Sequence, residues 1–128
     1  MVFCIFYGKG NCYTGIYMEE LLEVAKKFTY EDPGGNGQND TYGLSSNGLG
    51  PGVGGILNSY GASAANNIIL VDGEITFTLL QPLMVEGLEM CEKFVDAGVV
   101  DPDIVANDDK TLKDKMIQGK VGICPYSW

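Results

Sequence analysis

Along residues 18–29, MEELLEVAKKFT, apolar side chains return at Met18, Leu21, Leu22, Ala25 and Phe28, the three-and-four spacing of one helical face. Glu19 and Glu20 fall in the first turn and Lys26 and Lys27 in the last, where the helix dipole favours each sign. The pattern predicts a helix over 18–29, with Glu23 and Lys27 an exposed pair one turn apart. A polar, glycine-rich stretch follows, and regular structure is next expected only at ILNSYGAS, as a short helix over about 54–60. NNIILVDGEITF predicts two strands joined by Asp72-Gly73, a pair suited to the positive φ angles of a type I′ turn. From about Gln81 to Ala97 the recurrence of Leu80, Met84, Leu88, Cys91 and Val95 predicts a second long helix, with Gly98 as its stop. Asp108 is placed to cap a last helix, Asp109 to Gln118, carrying Leu112, Met116 and Ile117 and ended by Gly119. GKVGICPYSW reads as a strand running into a loop, and no internal repeat is visible.

Helices alternating with short strands in a chain of 128 residues predict one α/β domain, long enough to bury a core. The net charge of −9, with only eight Lys and Arg, argues against nucleic acid or an anionic membrane surface as partner. The absence of His excludes Ser-His-Asp and Cys-His nucleophile systems and any His-ligated zinc. Cys4, Cys12, Cys91 and Cys124 form no C-x-x-C pair and read as free thiols, with Cys91 and Cys124 expected as small buried hydrophobes. The start, MVFCIFYGKGNC, has no basic residue before its short apolar run, so no signal peptide is expected in the chain as written.

The stretch EDPGGNGQNDTYG, residues 31–43, holds three carboxylates, two Asn and four Gly. Counted from Asp32 against the EF-hand loop, Asp32, Asn36, Gln38 (through its carbonyl) and Asp40 fill positions 1, 5, 7 and 9, and Gly37 is the turn glycine. Gly34 stands at position 3 and Gly43 at position 12, where the pattern wants oxygen ligands. An Asx- and Gly-rich turn after a helix explains the same residues with equal weight. GPGVGG, residues 50–55, satisfies G-x-G-x-x-G formally, but no apolar strand precedes it, which ranks dinucleotide binding last. The acidic pairs Asp101 with Asp103 and Asp108 with Asp109 fall in a loop and at a helix start, where caps and solvent account for them.

Taken in order, MEELLEVAKKFT, DPGGNGQNDTYGL, ILNSYGA, VDGEITF, AGVVDPD and QGKVGI resemble the family 1 extracellular solute-binding proteins of ABC importers, most of which bind sugars or oligosaccharides. The likeness covers about Met18 to Trp128, and its most specific part is the DP-G-N-G-x-x-D-TYGL signature. Residues 1–17 match neither the first lobe nor the hinge of such proteins, which suggests a truncated or frame-shifted gene product.

The resemblance implies a single lobe of a periplasmic-binding-protein-like (type II) fold, with helices packed on a small mixed sheet and part of a second lobe represented. It implies binding without chemistry: the two-lobed parent closes on a carbohydrate or other small solute outside the cell, or in the periplasm, and passes it to an ABC permease. Calcium in some relatives maps onto Asp32, Asn36, Gln38 and Asp40, and Gly34 replaces their usual Asp or Asn. The cleft aromatic after the G-K-V-G strand maps onto Trp128 or Tyr126, and the SNGLGPG segment makes Asn47 a further ligand candidate. One lobe alone leaves its cleft face open, so weak ligand affinity and self-association are expected. The rival from another class is a free-standing calcium-binding interaction module, in which the 31–43 loop is the function.

Overall fold

In a computed structural model of the chain, which describes residues 2–6, 12–61 and 68–125, the first predicted helix forms as α1, Met18–Tyr30. It follows directly from β2 (Cys12–Tyr17), which pairs antiparallel with β1 (Val2–Phe6). The Glu20 carboxylate accepts the Tyr17 N–H at 2.9 Å and so fixes the helix start. Met18, Leu21, Leu22 and Ala25 are buried along its inner face. β3 (Tyr42–Leu44) and β6 (Val121–Ile123) pair in parallel, and Leu44 makes a further parallel bridge to Val100 on its other side. The α/β architecture with helices on a small sheet is therefore present; its described strands pair as three two-stranded units rather than as one mixed sheet.

Contact between α1 and the parallel strands is closer than side chains permit. A Cβ placed on Gly43 would lie 2.8 Å from Ala25 Cα and 2.7 Å from its carbonyl carbon, and one on Gly122 would lie 2.6 Å from Phe28 Cδ1 and Cδ2. Glycine is thus required on both strands for the helix to lie flat on them. Thr29 completes the junction: its hydroxyl donates to the Ala25 carbonyl at 3.1 Å and accepts the Gly43 N–H at 2.9 Å.

The glycine-rich segment departs from the sequence expectation. α2 spans Leu49–Ser59, starting five residues earlier than the stretch 54–60. Pro51 lies in its first turn, where the missing N–H is no loss. Gly52 lies so near Ser46 Oγ and Ile104 Cδ1 that a Cβ would sit 2.8 and 2.9 Å from them. Packing therefore outweighs the low helix propensity of glycine here.

The predicted hairpin forms as β4 (Ile68–Val71) and β5 (Glu74–Phe77), with Asp72 at φ 51° and Gly73 at φ 85°. A short 3-10 turn, Thr78–Leu80, leads into α3, Pro82–Asp96. The buried face of α3 is Met84, Gly87, Met90 and Phe94, whereas Leu80, Leu88 and Val95 of the expected stripe are 73%, 50% and 63% exposed. The correction traces to Gly87, which admits Leu57 of α2 against the helix backbone, a Cβ there falling 2.9 Å from Leu57 Cδ2. α4, Asp109–Ile117, is capped by Asp108, whose carboxylate accepts the Thr111 N–H at 2.7 Å. It buries Leu112 as expected but leaves Ile117 84% exposed. The main core unites α1, β3, α2 and α3 through Met18, Leu22, Leu44, Ile56, Met90 and Phe94.

Gly43→Ala should lower unfolding stability by about 3 kcal/mol or more, since helix and strand backbones must separate. Gly50→Ala, in the first turn of α2 with nothing within 4 Å of a Cβ, should change it by less than about 1 kcal/mol, towards greater stability. Urea unfolding of the two variants beside the parent chain checks the contrast.

Candidate functional site

Parallel pairing places the carboxyl ends of β3, β6 and the 99–101 segment at one edge of the sheet. Ligands of α/β proteins commonly sit outside such an edge, where loops leave the strands together. From β3 the chain passes into Ser45, Ser46, Asn47 and Gly48, from Val100 into Asp101, and from β6 into Cys124 and Pro125.

At the base of this edge the Asp101 side chain is wholly buried. One of its oxygens accepts from Ser45 Oγ at 2.7 Å, Asn107 Nδ2 at 3.0 Å and Lys115 Nζ at 2.8 Å; the other accepts the Asp103 N–H at 3.0 Å. Asn107 Nδ2 also reaches Ser45 Oγ at 3.0 Å and the Ser46 carbonyl at 3.3 Å. Sequence reasoning assigned Asp101 to solvent, and the structure corrects that: the acid joins the loop after β3, the loop before α4, and α4 itself. The available signal was Val99-Val100 immediately before it, an apolar pair that carries the following residue inward. Asp103, 71% exposed in its side chain, behaves as the sequence suggested; its 3.1 Å contact with Lys115 adds little on so open a surface.

Burial opposes ionisation of Asp101, but the hydrogen bonds from Lys115, Ser45, Asn107 and the Asp103 N–H outweigh it and hold the carboxyl below the usual carboxylate range. Burial likewise pulls the Lys115 ammonium down, and its bonds to Asp101 and Asp103 more than reverse this, leaving its pKa raised. Burial alone pushes the Cys124 thiol up and dominates the same rise at Cys91; both are half-buried free thiols rather than the fully buried ones expected.

Above this base, Asn47 is half-buried and its Nδ2 donates to Asp109 Oδ1 at 2.6 Å. Asp109, unmarked in the sequence as a site residue, therefore orients the Asn47 amide. Gly48, at φ 116°, precedes α2 and offers no side-chain cap to the first N–H groups of that helix. Pro125 lies beside Gly55 of α2, so β6 delivers the chain to the same edge. Tyr126 and Trp128, the expected stacking residues, fall outside the described residues.

The 31–43 loop lies elsewhere, at the far end of α1. Both Asp32 oxygens are engaged by backbone, from Asn36 N at 3.2 Å and Gly37 N at 2.7 Å, and Asn36 Oδ1 accepts the Gln38 N–H at 2.8 Å. Asp40 and Gln38 are exposed, with no side-chain bond to this cluster. Among the described residues no three Asp, Glu or Cys side chains converge as metal ligands would. Gly43, at the twelfth position of the calcium pattern, is glycine because Ala25 occupies the space of its side chain. The donors present fall short of the six to eight oxygens a calcium ion takes.

No family model matches the chain. Over 109 residues, 83% of the chain, it is 28% identical to the lipoprotein LipO of Bacillus subtilis (strain 168), and that match takes in 22% of LipO. Its fold matches FusA of S. pneumoniae, an ABC-transporter substrate-binding protein solved in complex with kestose, with a TM-score of 0.69 at 23% identity, over 82% of this chain and 22% of that one. The chain thus spans about a fifth of the length of these proteins. Its fold is that of a segment of a substrate-binding protein, as the order of its motifs implied.

Four outcomes test the site's base and the loop. Folded-state stabilisation by Asp101 is complete above the ordinary Asp range near about pH 4 and disappears as pH falls through its depressed value, while that of Lys115 is complete below about pH 10.4 and disappears as pH rises through its elevated one. Lys115→Met, which leaves the buried carboxylate without its cation, should cost about 3 kcal/mol at pH 7 in urea unfolding, and Asp101→Asn should flatten the loss of stability below pH 4. Asp32→Ala should cost about 1 kcal/mol through its two lost backbone bonds, and the parent chain should melt identically in calcium and in EDTA if the turn holds itself.

Proposed function

We propose, on the premise of that shared fold, that the chain is the ligand-contacting part of one lobe of an ABC-importer solute-binding protein for sugars or oligosaccharides. The observation that carries the reading is the match to a substrate-binding protein whose structure contains kestose, together with the convergence of three strand ends on one edge. Asn47, held by Asp109, supplies a fixed amide for a sugar hydroxyl, and Trp128, with Tyr126 as the alternate, supplies an aromatic face for the apolar side of a pyranose or furanose ring. The role is binding rather than catalysis, performed outside the membrane and completed by transfer to a permease. LipO, a lipoprotein by name, agrees with that location.

The sole Trp of the chain makes the proposal directly measurable. Titration with kestose and related oligosaccharides should shift Trp128 emission, with a dissociation constant on the order of 1 mM because only one side of a cleft is present. At ten times that concentration the native state gains about 1.4 kcal/mol, a rise of several degrees in melting temperature. Asn47→Ala should weaken the response about tenfold while costing the free chain no more than about 1 kcal/mol, the bond to Asp109. An emission spectrum and a melting curve unchanged by every sugar in the panel would overturn the proposal.

A further inference from the structure

Asn47 and Asp109 meet at the candidate edge through one hydrogen bond, from Asn47 Nδ2 to Asp109 Oδ1 at 2.6 Å, across 62 residues of sequence. An ionised carboxylate only accepts, so this bond settles which end of the amide faces Asp109 and turns the Asn47 carbonyl oxygen away from it. Among the described residues no donor reaches Asn47 Oδ1 or Asp109 Oδ2. The backbone beneath is fixed: Ser45 Oγ donates to Asp101 at 2.7 Å, and the Ser46 carbonyl accepts from Asn107 Nδ2 at 3.3 Å. Asp109 is also spare to the helix it begins. Asp108 already caps α4 by accepting the Thr111 N–H at 2.7 Å, and the exposed Asp109, one residue on, turns its carboxylate to Asn47 instead.

We propose that Asp109 contacts the ligand itself and, with Asn47, forms a pair of acceptors that selects uncharged sugars over acidic ones. The inference rests on the solute-binding reading above and names the class of solute. Two open oxygens side by side call for donors, and neighbouring hydroxyls of a sugar ring supply them, the one on Asp109 through the stronger, charge-assisted kind of bond. A uronic acid or a sugar phosphate brings acceptors instead, and its charge falls against Asp109, an unpaired like charge that rejects the wrong partner. Nothing basic is placed to offset it. All eight basic residues of the chain are Lys, so no guanidinium fork is available for a carboxylate or phosphate. Residues 101–109 contain four Asp and no Lys. Lys115 is committed to Asp101 and Asp103 at 2.8 and 3.1 Å, and Lys120 precedes β6, at the other end of that strand from the edge. Lys110 follows Asp109 directly, and adjacent residues of a helix do not face each other.

NMR titration of the ¹⁵N-labelled 128-residue chain tests the proposal with two probes, kestose and kestose oxidised to carboxylates at its primary alcohols. The expected result is that the parent chain binds kestose about tenfold or more tightly than its oxidised form. Asp109→Asn keeps an oxygen for Asn47 Nδ2 and removes only the charge; it should weaken kestose about fivefold and narrow the preference to about threefold or less. Glu74→Gln, exposed on β5, makes the same change of net charge on the hairpin and should leave the preference as it is in the parent. Spectra of the free variants that overlay on the parent's confirm that they fold. Kestose binding with a preference that Asp109→Asn leaves intact, or that Glu74→Gln narrows equally, overturns this proposal alone, as does oxidised kestose binding the parent as tightly as kestose. A parent spectrum that neither probe perturbs overturns the solute-binding reading and this proposal with it.

Discussion

The buried Asp101 carboxylate is the constraint on which the candidate edge depends. Its partners come from positions 56, 14 and 6 residues away, so three separate stretches of chain end on one charged group. A carboxylate taken out of water tolerates no missing partner, which makes the arrangement cooperative: Ser45, Asn107 and Lys115 are held together or not at all. The loop after β3 owes its course to this, and Asn47 owes its position to the loop. Strength at the base leaves the upper edge free to present polar groups without being reshaped by them.

A second constraint governs the opposite side of the same strands. α1 rests on Gly43 and Gly122 at a distance that excludes any Cβ, and Thr29 bonds to both sides of the junction. Tyr30 extends the junction to α3 by donating to the Ala97 carbonyl at 2.6 Å, beside Gly98 in the left-handed region. Helix α1 is thereby fastened to β3 by backbone proximity and to α3 by a single hydroxyl, and the apolar core fills what lies between.

Periodicity made α1, α4 and the β4–β5 hairpin legible because each is specified locally, by a helical stripe, a capping Asp or a turn pair with positive φ. It failed on α2 and on the orientation of α3 for one shared reason. Gly52 and Gly87 are weak helix formers in isolation, yet they mark the places where a neighbour comes closest, and a reading by hydrophobicity gives glycine no weight. Asp101 was missed in a different way: an acid in a loop next to Pro102 looks solvated, the apolar pair before it hints only at burial, and its distant partners are not visible in the sequence. The family resemblance, carried by the order of short motifs, named ligand candidates that no local pattern singles out. Of those, Asn47 gains a defined partner in Asp109.

The Thr29 bridge to Gly43 also decides what the 31–43 loop can become. Its two ends are joined at the neck by bonds that belong to the helix–strand junction, while residues 33–40 are all exposed. Loop closure is therefore settled before the tip is specified, and each doubling of such a loop adds only about 0.6 kcal/mol of entropic cost. The tip is a natural port for engineering: a fluorophore, an epitope or an inserted domain between Gly34 and Gly35 would be carried by the helix–strand junction without entering the interior of the protein.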